Sequence, residues 1–265
     1  MIKVSVLMTV FNTERYLEDA INSILRQSYK NFEFILVDDK STDESAHIIK
    51  KFKNKKIKKF FLKKHIGRTP ALNYGLKKCK GEYIAILDSD DISSRGRLFK
   101  QVNYLDKNLN NNVIGTKTIL INSNGKKLRD FYTPHDNKNL NKKMIFDNFL
   151  PHSSVMIRKK FFKKIGLFYP KEFKYAQDYA LWLKFLLHTK ISILSENLTK
   201  CRVTKNNMTN LRRYDRIREL EMIKNNYFAL KNFNLKIYDK FLLILKIKKR
   251  FIKLFYRFLI FHLGV

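Results

Sequence analysis

The sequence predicts an α/β protein with a mostly parallel central sheet flanked by helices, followed by a basic helical extension. In residues 1–121, apolar strand-like runs alternate with segments of helical periodicity, an order typical of a parallel sheet. The 265 residues are 45% hydrophobic and 14% aromatic, which is ample for a buried core. From residue 206 onward the apolar spacing is helical and basic residues become frequent.

The elements of the first half follow from the spacing of their apolar residues. Ile2–Val10 is a continuous apolar run, as expected of a buried strand, and Thr13–Arg26 repeats apolar residues at helical spacing. Further strands are expected at Phe32–Val37, Ile57–Leu62, Tyr83–Leu87 and Val113–Ile121, and further helices from Ser41 to about Lys53, at Pro70–Lys78 and at Arg95–Leu109.

Two helix starts carry capping signals. The Ser41–Glu44 segment has the capping-box pattern, in which the first hydroxyl and the last carboxylate would satisfy backbone N–H groups of the helix start. Thr69 and Pro70 are typical of an N-cap followed by the first helical residue.

The second half is more mixed in pattern. Short strands are expected at Ser153–Ile157 and Leu198–Val203, and a helix that contains the single tryptophan is expected at Ala176–His188. Residues 207–265 are expected to be helical.

Polar side chains follow three of the predicted strands. Thr9 and Phe11 lie at the end of the first strand, Asp39 follows the second, and Asp88–Asp91 follow the fourth. Ligands of open α/β sheets bind at the carboxyl ends of the strands. The sequence therefore predicts that these groups meet at one edge of the sheet.

Asp88-Ser89-Asp90 is the most distinctive of these groups. Two carboxylates one residue apart can present oxygen ligands to Mg²⁺ or Mn²⁺. Such an ion would neutralise a diphosphate and stabilise it as it leaves. The alternative is an acidic loop that caps the Arg95–Leu109 helix.

Two further carboxylates have a functional and a structural interpretation. Asp39 could accept hydrogen bonds from a ribose hydroxyl or a base N–H, or it could cap the helix that follows. Asp178 lies one helical turn from Trp182, and a carboxylate beside an apolar wall can serve as a general base. The alternative is an acidic residue that interacts with the helix dipole.

Taken together, these clusters resemble glycosyltransferase family 2, the inverting transferases of the GT-A fold, of the type that builds bacterial cell-surface polysaccharide and lipooligosaccharide. Five ordered blocks within residues 3–205 carry the resemblance: Val4–Glu14, Ile24–Tyr29 with Phe32–Asp43, Gly67–Gly75 with Gly81–Asp91, Pro151–Met156 and Gln177-Asp178.

The resemblance implies a UDP-sugar donor and assigns residues to it. Thr9, Phe11 and Asp39 would hold the nucleoside, with Phe11 stacked on the base. Arg68 would reach the diphosphate or the base, and Asp88 would lie near the ribose.

The resemblance also implies the reaction. Asp90 would bind Mn²⁺ or Mg²⁺, and Asp178 would act as the catalytic base in a single displacement with inversion. The segment around Thr204 departs from the family, which often has a histidine there that assists the metal or the diphosphate. Arg202 and Lys205 are cationic residues that could replace it.

By the same resemblance, residues 1–205 form the transferase domain, with a nucleotide-sugar-binding half at 1–121 and an acceptor-side half at 122–205. Residues 206–265 form a basic amphipathic extension. The expected acceptor is a cell-surface glycan or a lipid-linked precursor, and the expected location is the cytoplasmic face of the bacterial inner membrane.

The charge of the chain favours an anionic partner. The formal net charge is +32, which attracts nucleic acid, anionic lipid or phosphorylated substrates. Five basic residues of the extension share one helical stripe beside apolar residues, which is typical of a helix in a membrane interface; they are Lys246, Lys249, Arg250, Lys253 and Arg257. The alternative is a helix docked on the protein core.

Other classes are weighed against this interpretation. A nucleic-acid-binding protein would fit the charge, but no zinc finger, helix-turn-helix or aromatic RNA-binding motif is evident, so no nucleic acid is expected. A catalytically inactive scaffold of the family is a third possibility. Two isolated cysteines suit a reducing compartment, and neither a secretory signal nor an ordinary transmembrane segment is expected.

Overall fold

A computed structural model describes residues 2–134, 137–166, 168–204 and 215–263. Within these ranges the chain forms a nine-stranded mixed sheet in the order β3-β2-β1-β4-β8-β6-β9-β5, with β7 paired to β6. The strands are β1 Val4–Val10, β2 Phe32–Asp38, β3 Ile57–Phe61, β4 Tyr83–Ile86, β5 Ile92–Ser93, β6 Val113–Ile121, β7 Lys127–Asp130, β8 Met156–Arg158 and β9 Ile191–Arg202.

Helices cover both faces of this sheet. They are α1 Glu14–Leu25, α2 Ser45–Lys51, α3 Arg68–Lys78, α4 Arg97–Lys107, α5 Asn137–Met144, α6 Lys159–Ile165, α7 Gln177–Leu186, α8 Asp215–Asn232 and α9 Ile237–Leu263, with one 3₁₀ turn at His152–Ser154. The α/β architecture and the C-terminal helices expected from the sequence are confirmed.

Strand β1 lies at the centre of the parallel part, paired with β2 on one side and β4 on the other. Its side chains alternate between two cores. Val6 and Met8 pack with Leu17 and Ile21 of α1, whereas Leu7 packs on the opposite face of the sheet. Burial of both faces explains why five of the seven residues of β1 are apolar.

The antiparallel strand β8 brings the 3₁₀ turn to the end of β4. Ala85 of β4 pairs with Met156, and the backbone N–H of Asp88 donates to Ser153 Oγ at 3.0 Å. Residues 152–154 therefore lie beside the acidic loop that follows β4, although some 60 residues separate the two along the chain.

Both predicted helix starts are wrong. Helix α3 begins at Arg68, after Gly67 with φ 89°, and the Thr69 hydroxyl donates to the carbonyl of Phe173 at 2.7 Å instead of capping a helix. Helix α2 begins at Ser45, and Ser41 Oγ accepts the backbone N–H of Asn12 at 3.1 Å. In both cases the hydroxyl forms a hydrogen bond to a residue distant in the chain instead of to the backbone of the helix start.

Two strands also differ from their predicted bounds. Strand β9 begins at Ile191, seven residues before the predicted start, because it pairs in parallel with β6 along most of its length. Residues 152–154 form the 3₁₀ turn, so strand β8 starts only at Met156.

The C-terminal helices pack against the rest of the protein. Tyr179 and Leu183 of α7 share an apolar cluster with Met222 of α8 and Leu243 of α9. The Glu221 carboxylate of α8 accepts the backbone N–H groups of residues 174, 175 and 176 at 2.7–2.8 Å. Helix α8 thus fixes the start of α7.

Three residues of the predicted basic stripe of α9 form ion pairs with the rest of the protein. Lys246 Nζ lies 2.7 Å from Asp147 Oδ2, while Arg250 Nη1 and Lys253 Nζ lie 2.7 and 2.6 Å from the Glu219 carboxylate. These three residues therefore support the alternative interpretation, in which the helix is docked on the protein core. Lys249 is exposed. The side chain of Arg257 lies outside the described residues.

No helix in the described ranges is both long and apolar enough to cross a membrane.

Gly81 provides a test of the packing around β1. A Cβ atom at Gly81 would lie 2.4 Å from the backbone nitrogen of Ser5 and 2.7 Å from the carbonyl carbon of Val4. Since backbone atoms cannot move aside as a flexible side chain can, Gly81→Ala should lower the free energy of unfolding by about 1–3 kcal/mol. Urea denaturation measures this change.

Gly96→Ala is the matched control. Its Cβ would meet only Lys100 Cε, at 3.7 Å, so the free energy of unfolding should change by less than about 1 kcal/mol. Equal stability of the two variants would contradict the close approach of Gly81 to β1.

Candidate active site

Arg68 is the centre of a polar cluster at the carboxyl ends of β1, β2 and β4. It is the first residue of α3, and its Nη2 lies 2.7 Å from Asp88 Oδ2 and 3.1 Å from His152 Nδ1. Burial lowers its pKa, but the carboxylates of Asp88, Asp178 and Asp90 outweigh that effect and raise it overall. Three acidic groups from two distant segments therefore surround one guanidinium.

Asp88 is the carboxylate most firmly held in its charged form. His152 Nδ1 lies 2.9 Å from its Oδ1, and Arg68 pairs with its Oδ2. Burial would raise its pKa, but Arg68 and then His152 outweigh burial and hold the pKa of Asp88 well below its usual range. Asp88 is therefore ionised at any physiological pH.

The pKa values of Asp90 and Asp91 shift in the opposite direction to that of Asp88. Loss of solvation, followed by repulsion from Asp88, raises the pKa of Asp90 to about 6. Burial and the two neighbouring carboxylates raise the pKa of Asp91 well above its usual value. Asp91 accepts the Ser153 hydroxyl and, at 2.8 Å, the backbone N–H of Arg202, so its contacts are structural.

This excess of acidic groups fits a divalent cation. An added positive charge would relieve the repulsion that raises the pKa of Asp90. In the part of the chain that the structure describes, no three His, Cys, Asp or Glu side chains are grouped to hold a metal. The protein would thus supply one or two carboxylates and leave the other positions to phosphate and water, which is common for Mg²⁺.

The predicted nucleoside residues lie at the same edge of the sheet. Asp39 Oδ1 and Oδ2 accept the backbone N–H groups of Ile66 and Gly67, each at 2.8 Å. Asp39 therefore fixes the chain just before Arg68 and does not cap α2, the helix that follows it. Thr9 is half-buried near the end of β1.

Phe11 lies beyond the end of β1 and is 41% exposed. His65 stacks on its ring with the two ring centres 4.0 Å apart and an interplanar angle of 26°. His65 was not among the residues predicted from the sequence, because nothing in its local pattern signals a partner more than 50 positions away.

Asp178 is the second residue of α7 and faces the cluster. Its Oδ2 accepts the Asn148 amide at 3.0 Å, and its Oδ1 accepts the backbone N–H of Tyr179 at 2.7 Å. Gln177, in the amide orientation that satisfies both of its partners, accepts Arg68 Nε at 3.3 Å. Helix α7 therefore contacts Arg68 through Gln177, while the acidic loop contacts it through Asp88.

His152 and Tyr169 form the wall behind this cluster. His152 is buried, and its Nε2 lies 2.8 Å from the Tyr169 hydroxyl. The Trp182 ring lies 6.3 Å from the His152 ring, centre to centre. Tyr169 was missed at the sequence level because no motif marks it.

Arg202 has a different role from the one expected. Its Nε donates to the carbonyl of Asp90 at 3.0 Å, and its Nη1 donates to the carbonyls of Asn122 and Ser123 at 3.1 and 2.9 Å. It thus connects the acidic loop to the β6–β7 turn, so this arrangement gives no support to Arg202 as a diphosphate partner. Lys205 lies outside the described residues.

Comparison with known proteins decides the family. Residues 5–166 match the sequence profile described as Glycosyl transferase family 2. The chain belongs to glycosyl transferase family 2. This match covers the first four of the five sequence blocks, and Gln177-Asp178 lies beyond it.

Relatives of this family member are described only as glycosyltransferases. A protein of Methanocaldococcus jannaschii is 33% identical over 76% of this chain and 70% of its own length. A Rickettsia typhi protein is 35% identical over 78% of this chain and 66% of its own length. A Haemophilus influenzae protein is 46% identical over 40% of this chain and 43% of its own length.

Solved structures share the fold of this family 2 chain. Residues 1–349 of Staphylococcus aureus TarS, in complex with UDP-GlcNAc, align with a TM-score of 0.75 and 24% identity, covering 94% of this chain and 72% of that fragment. A Pyrobaculum calidifontis mannosyltransferase in complex with GDP-Man and Mn²⁺ aligns with a TM-score of 0.68 and 16% identity, covering 91% of this chain and 68% of its own. The GT-A fold expected from the sequence is confirmed.

The raised pKa of Asp90 leads to a prediction about stability. The folded state binds a proton at Asp90 more tightly than the unfolded chain does, so stability falls as the pH rises from about 4 through 6. Because asparagine does not ionise, Asp90→Asn should raise the melting temperature at pH 7.5 by about 2–4 °C, the shift that roughly 1 kcal/mol produces in a domain of this size. At pH 4.5 the change should be small.

Thermal unfolding in the presence of EDTA, without nucleotide, measures this difference. Asp130→Asn is the control, since Asp130 lies exposed on β7 and forms an exposed ion pair with Lys127. A melting temperature of Asp90→Asn at or below that of the wild type at pH 7.5 would show that Asp90 carries no excess charge.

Proposed function

We propose that this family 2 member transfers a sugar from a UDP-sugar to a hydroxyl of a cell-surface glycan or lipid-linked acceptor, with inversion at the anomeric carbon. The observation that carries the proposal is the cluster around Arg68, in which Asp88 and Asp90 from one segment and Asp178 from another act on a single guanidinium. Donor-side and acceptor-side groups thus border one site.

The nucleoside end of the donor is assigned to the edge of β1 and β2. Phe11 would stack on the base, Asp39 would accept a base N–H, and Thr9 would border the nucleoside. TarS was solved with UDP and with UDP-GlcNAc, which favours uridine, whereas the mannosyltransferase was solved with GDP-Man. Asp88, held in its ionised form, would accept a ribose hydroxyl.

The reaction is a single displacement at the anomeric carbon. The acceptor oxygen forms a bond to that carbon while the bond from the carbon to the diphosphate oxygen breaks, and the electron pair leaves with UDP. Asp178 takes the proton of the acceptor hydroxyl. Asn148 and the backbone N–H of Tyr179 hold its carboxylate in place, so little reorganisation is needed.

The diphosphate needs positive charge as it leaves. A bound Mn²⁺ or Mg²⁺ supplies Lewis-acid stabilisation of that charge, and Asp90 is the residue that would hold it. Arg68 contributes a guanidinium beside the same position, which can donate to phosphate oxygens while Asp88 orients it.

The ionisable groups favour an enzyme over an inactive scaffold. Asp90 and Asp91 are kept in surroundings that raise their pKa values, which costs folding stability. Such strained groups are typical of functional sites. A protein that served only as a scaffold would gain stability by replacing them.

Substitution of Asp178 tests the assignment of the base. Asp178→Asn should lower the rate of sugar transfer by roughly 100-fold or more, because asparagine cannot accept the proton of the acceptor hydroxyl. Affinity for UDP should stay within about twofold, since Asp178 makes no donor contact in this proposal. The rate is measured as UDP release in the presence of acceptor.

Asp130→Asn again serves as the control and should transfer at the wild-type rate. The donor is identified first, by the thermal stabilisation that UDP-, GDP- or dTDP-sugars give with Mn²⁺. Transfer by folded Asp178→Asn at the wild-type rate would remove Asp178 from the mechanism.

We also propose that the protein binds the cytoplasmic face of the bacterial inner membrane through the outer face of α9. Phe241, Phe251, Ile252 and Phe255 are each at least half exposed on the side of α9 opposite its ion pairs. Exposed Lys248 lies on the same side, and exposed Lys249 lies at the border between this face and the ion-paired stripe. An apolar face bordered by lysines complements an anionic bilayer surface.

Vesicles containing phosphatidylglycerol test this surface. Replacement of Ile252 and Phe255 together by glutamate should weaken vesicle binding by at least about tenfold, because two large apolar side chains leave the interface. The matched control replaces the exposed Leu109 and Leu128, far from α9 along the chain, by glutamate and so adds the same charge. Equal loss in both double variants would assign the binding to net charge alone.

A further inference from the structure

His65 makes two contacts with residues proposed to bind the nucleobase. Its ring stacks on Phe11 with the ring centres 4.0 Å apart, and its Nδ1 lies 3.0 Å from Asp39 Oδ2. A flat heteroaromatic ring thus covers one face of Phe11 and contacts the carboxylate of Asp39 at the same time. These are the two interactions proposed above for the base of the donor.

The atoms around Nδ1 establish which partner donates. Nδ1 lies 3.0 Å from the Asp39 carboxylate and 3.2 Å from the Asp39 carbonyl oxygen, and both of these groups are acceptors. The proton of the imidazole must therefore be on Nδ1, which donates to Asp39. An N–H group of a uracil ring would make the same kind of bond.

Two backbone N–H groups also bind the carboxylate of Asp39. Oδ1 accepts the backbone N–H of Ile66, and Oδ2 accepts that of Gly67 in addition to its contact with His65. The side chain of Asp39 is only 3% exposed. A base N–H can reach this group most readily where His65 now lies.

We infer that His65 occupies the position proposed above for the nucleobase and that the donor must displace it, which makes His65 a determinant of donor affinity. The inference rests on the proposed function, because it takes Phe11 and Asp39 as the base-binding residues. Stacked rings lie about 3.5–4.0 Å apart, so a base inserted between Phe11 and His65 would need roughly twice the observed separation.

The surroundings of His65 permit this displacement. Its side chain is 51% exposed, and it lies in the irregular segment between β3 and α3. The two bonds from Ile66 and Gly67 to Asp39 involve backbone atoms, so they can persist while the imidazole rotates into solvent. Displacement then costs the stacking contact and one hydrogen bond and leaves the start of α3 in place.

Calorimetric titration of His65→Ala with UDP and with pyrophosphate tests the inference. Removal of the competing ring should tighten UDP binding by roughly 3- to 10-fold, because a larger fraction of the protein is then competent to bind the base. Pyrophosphate has no base, so its affinity should not change. His47→Ala is the matched control, since His47 is exposed on α2, and it should bind both ligands as the wild type does.

The outcomes separate the inference from the proposed function. Equal or weaker UDP binding by folded His65→Ala would overturn the inference, since His65 would then be a bystander or a second stacking partner. An equal gain for UDP and pyrophosphate would also overturn it. If UDP bound to neither the wild type nor the variant while both were folded, the donor site itself would be refuted.

Nuclear magnetic resonance of the wild type gives a second test that needs no variant. Ring protons of His65 are shielded by Phe11, so UDP should shift them toward the values of an exposed histidine, whereas pyrophosphate should not. Unchanged His65 resonances at saturating UDP would contradict displacement.

Discussion

The ion cluster around Arg68 is the interaction on which the rest of the site depends. Asp88, Asp90 and Asp178 each interact electrostatically with the Arg68 guanidinium, and Asp88 repels Asp90 in surroundings largely removed from solvent. The Arg68 guanidinium offsets part of that repulsion through its contact with Asp88, and it leaves Asp90 with an excess of negative charge. Such a balance suits a diphosphate that arrives together with a divalent cation.

The fold builds this cluster from elements that are distant along the chain. Parallel pairing of β1, β2 and β4 places Asp39 and Asp88 at one edge of the sheet. The antiparallel strand β8 adds His152 beside Asp88, and α8 fixes the start of α7 through Glu221. The C-terminal helices therefore contribute to the geometry of the proposed base, Asp178, in addition to any role at a surface.

The orientation of α9 shows how ion pairs select the exposed face of an amphipathic helix. Asp147 and Glu219 attract Lys246, Arg250 and Lys253 inward, where each ion pair is partly shielded from water. The aromatic residues opposite these ion pairs, such as Phe251 and Phe255, are consequently left exposed. In α9, three of the basic residues of the predicted stripe therefore form ion pairs with the protein, and several apolar residues on the opposite side are exposed to solvent.

The sequence by itself determined strands β1 to β4 and β6, helices α1 to α4 and the acidic residues at the strand ends, because apolar periodicity and strand-end position are local properties of the chain. It did not predict β5, β7, α5 or α6. The tertiary structure decided the partners: Thr69 bonds to Phe173 instead of capping a helix, Arg202 contacts backbone carbonyls, and His65 lies on Phe11. Each of these contacts joins segments that are distant in the chain. Their energies depend on distances that only the packed sheet and helices set, and no local pattern encodes them.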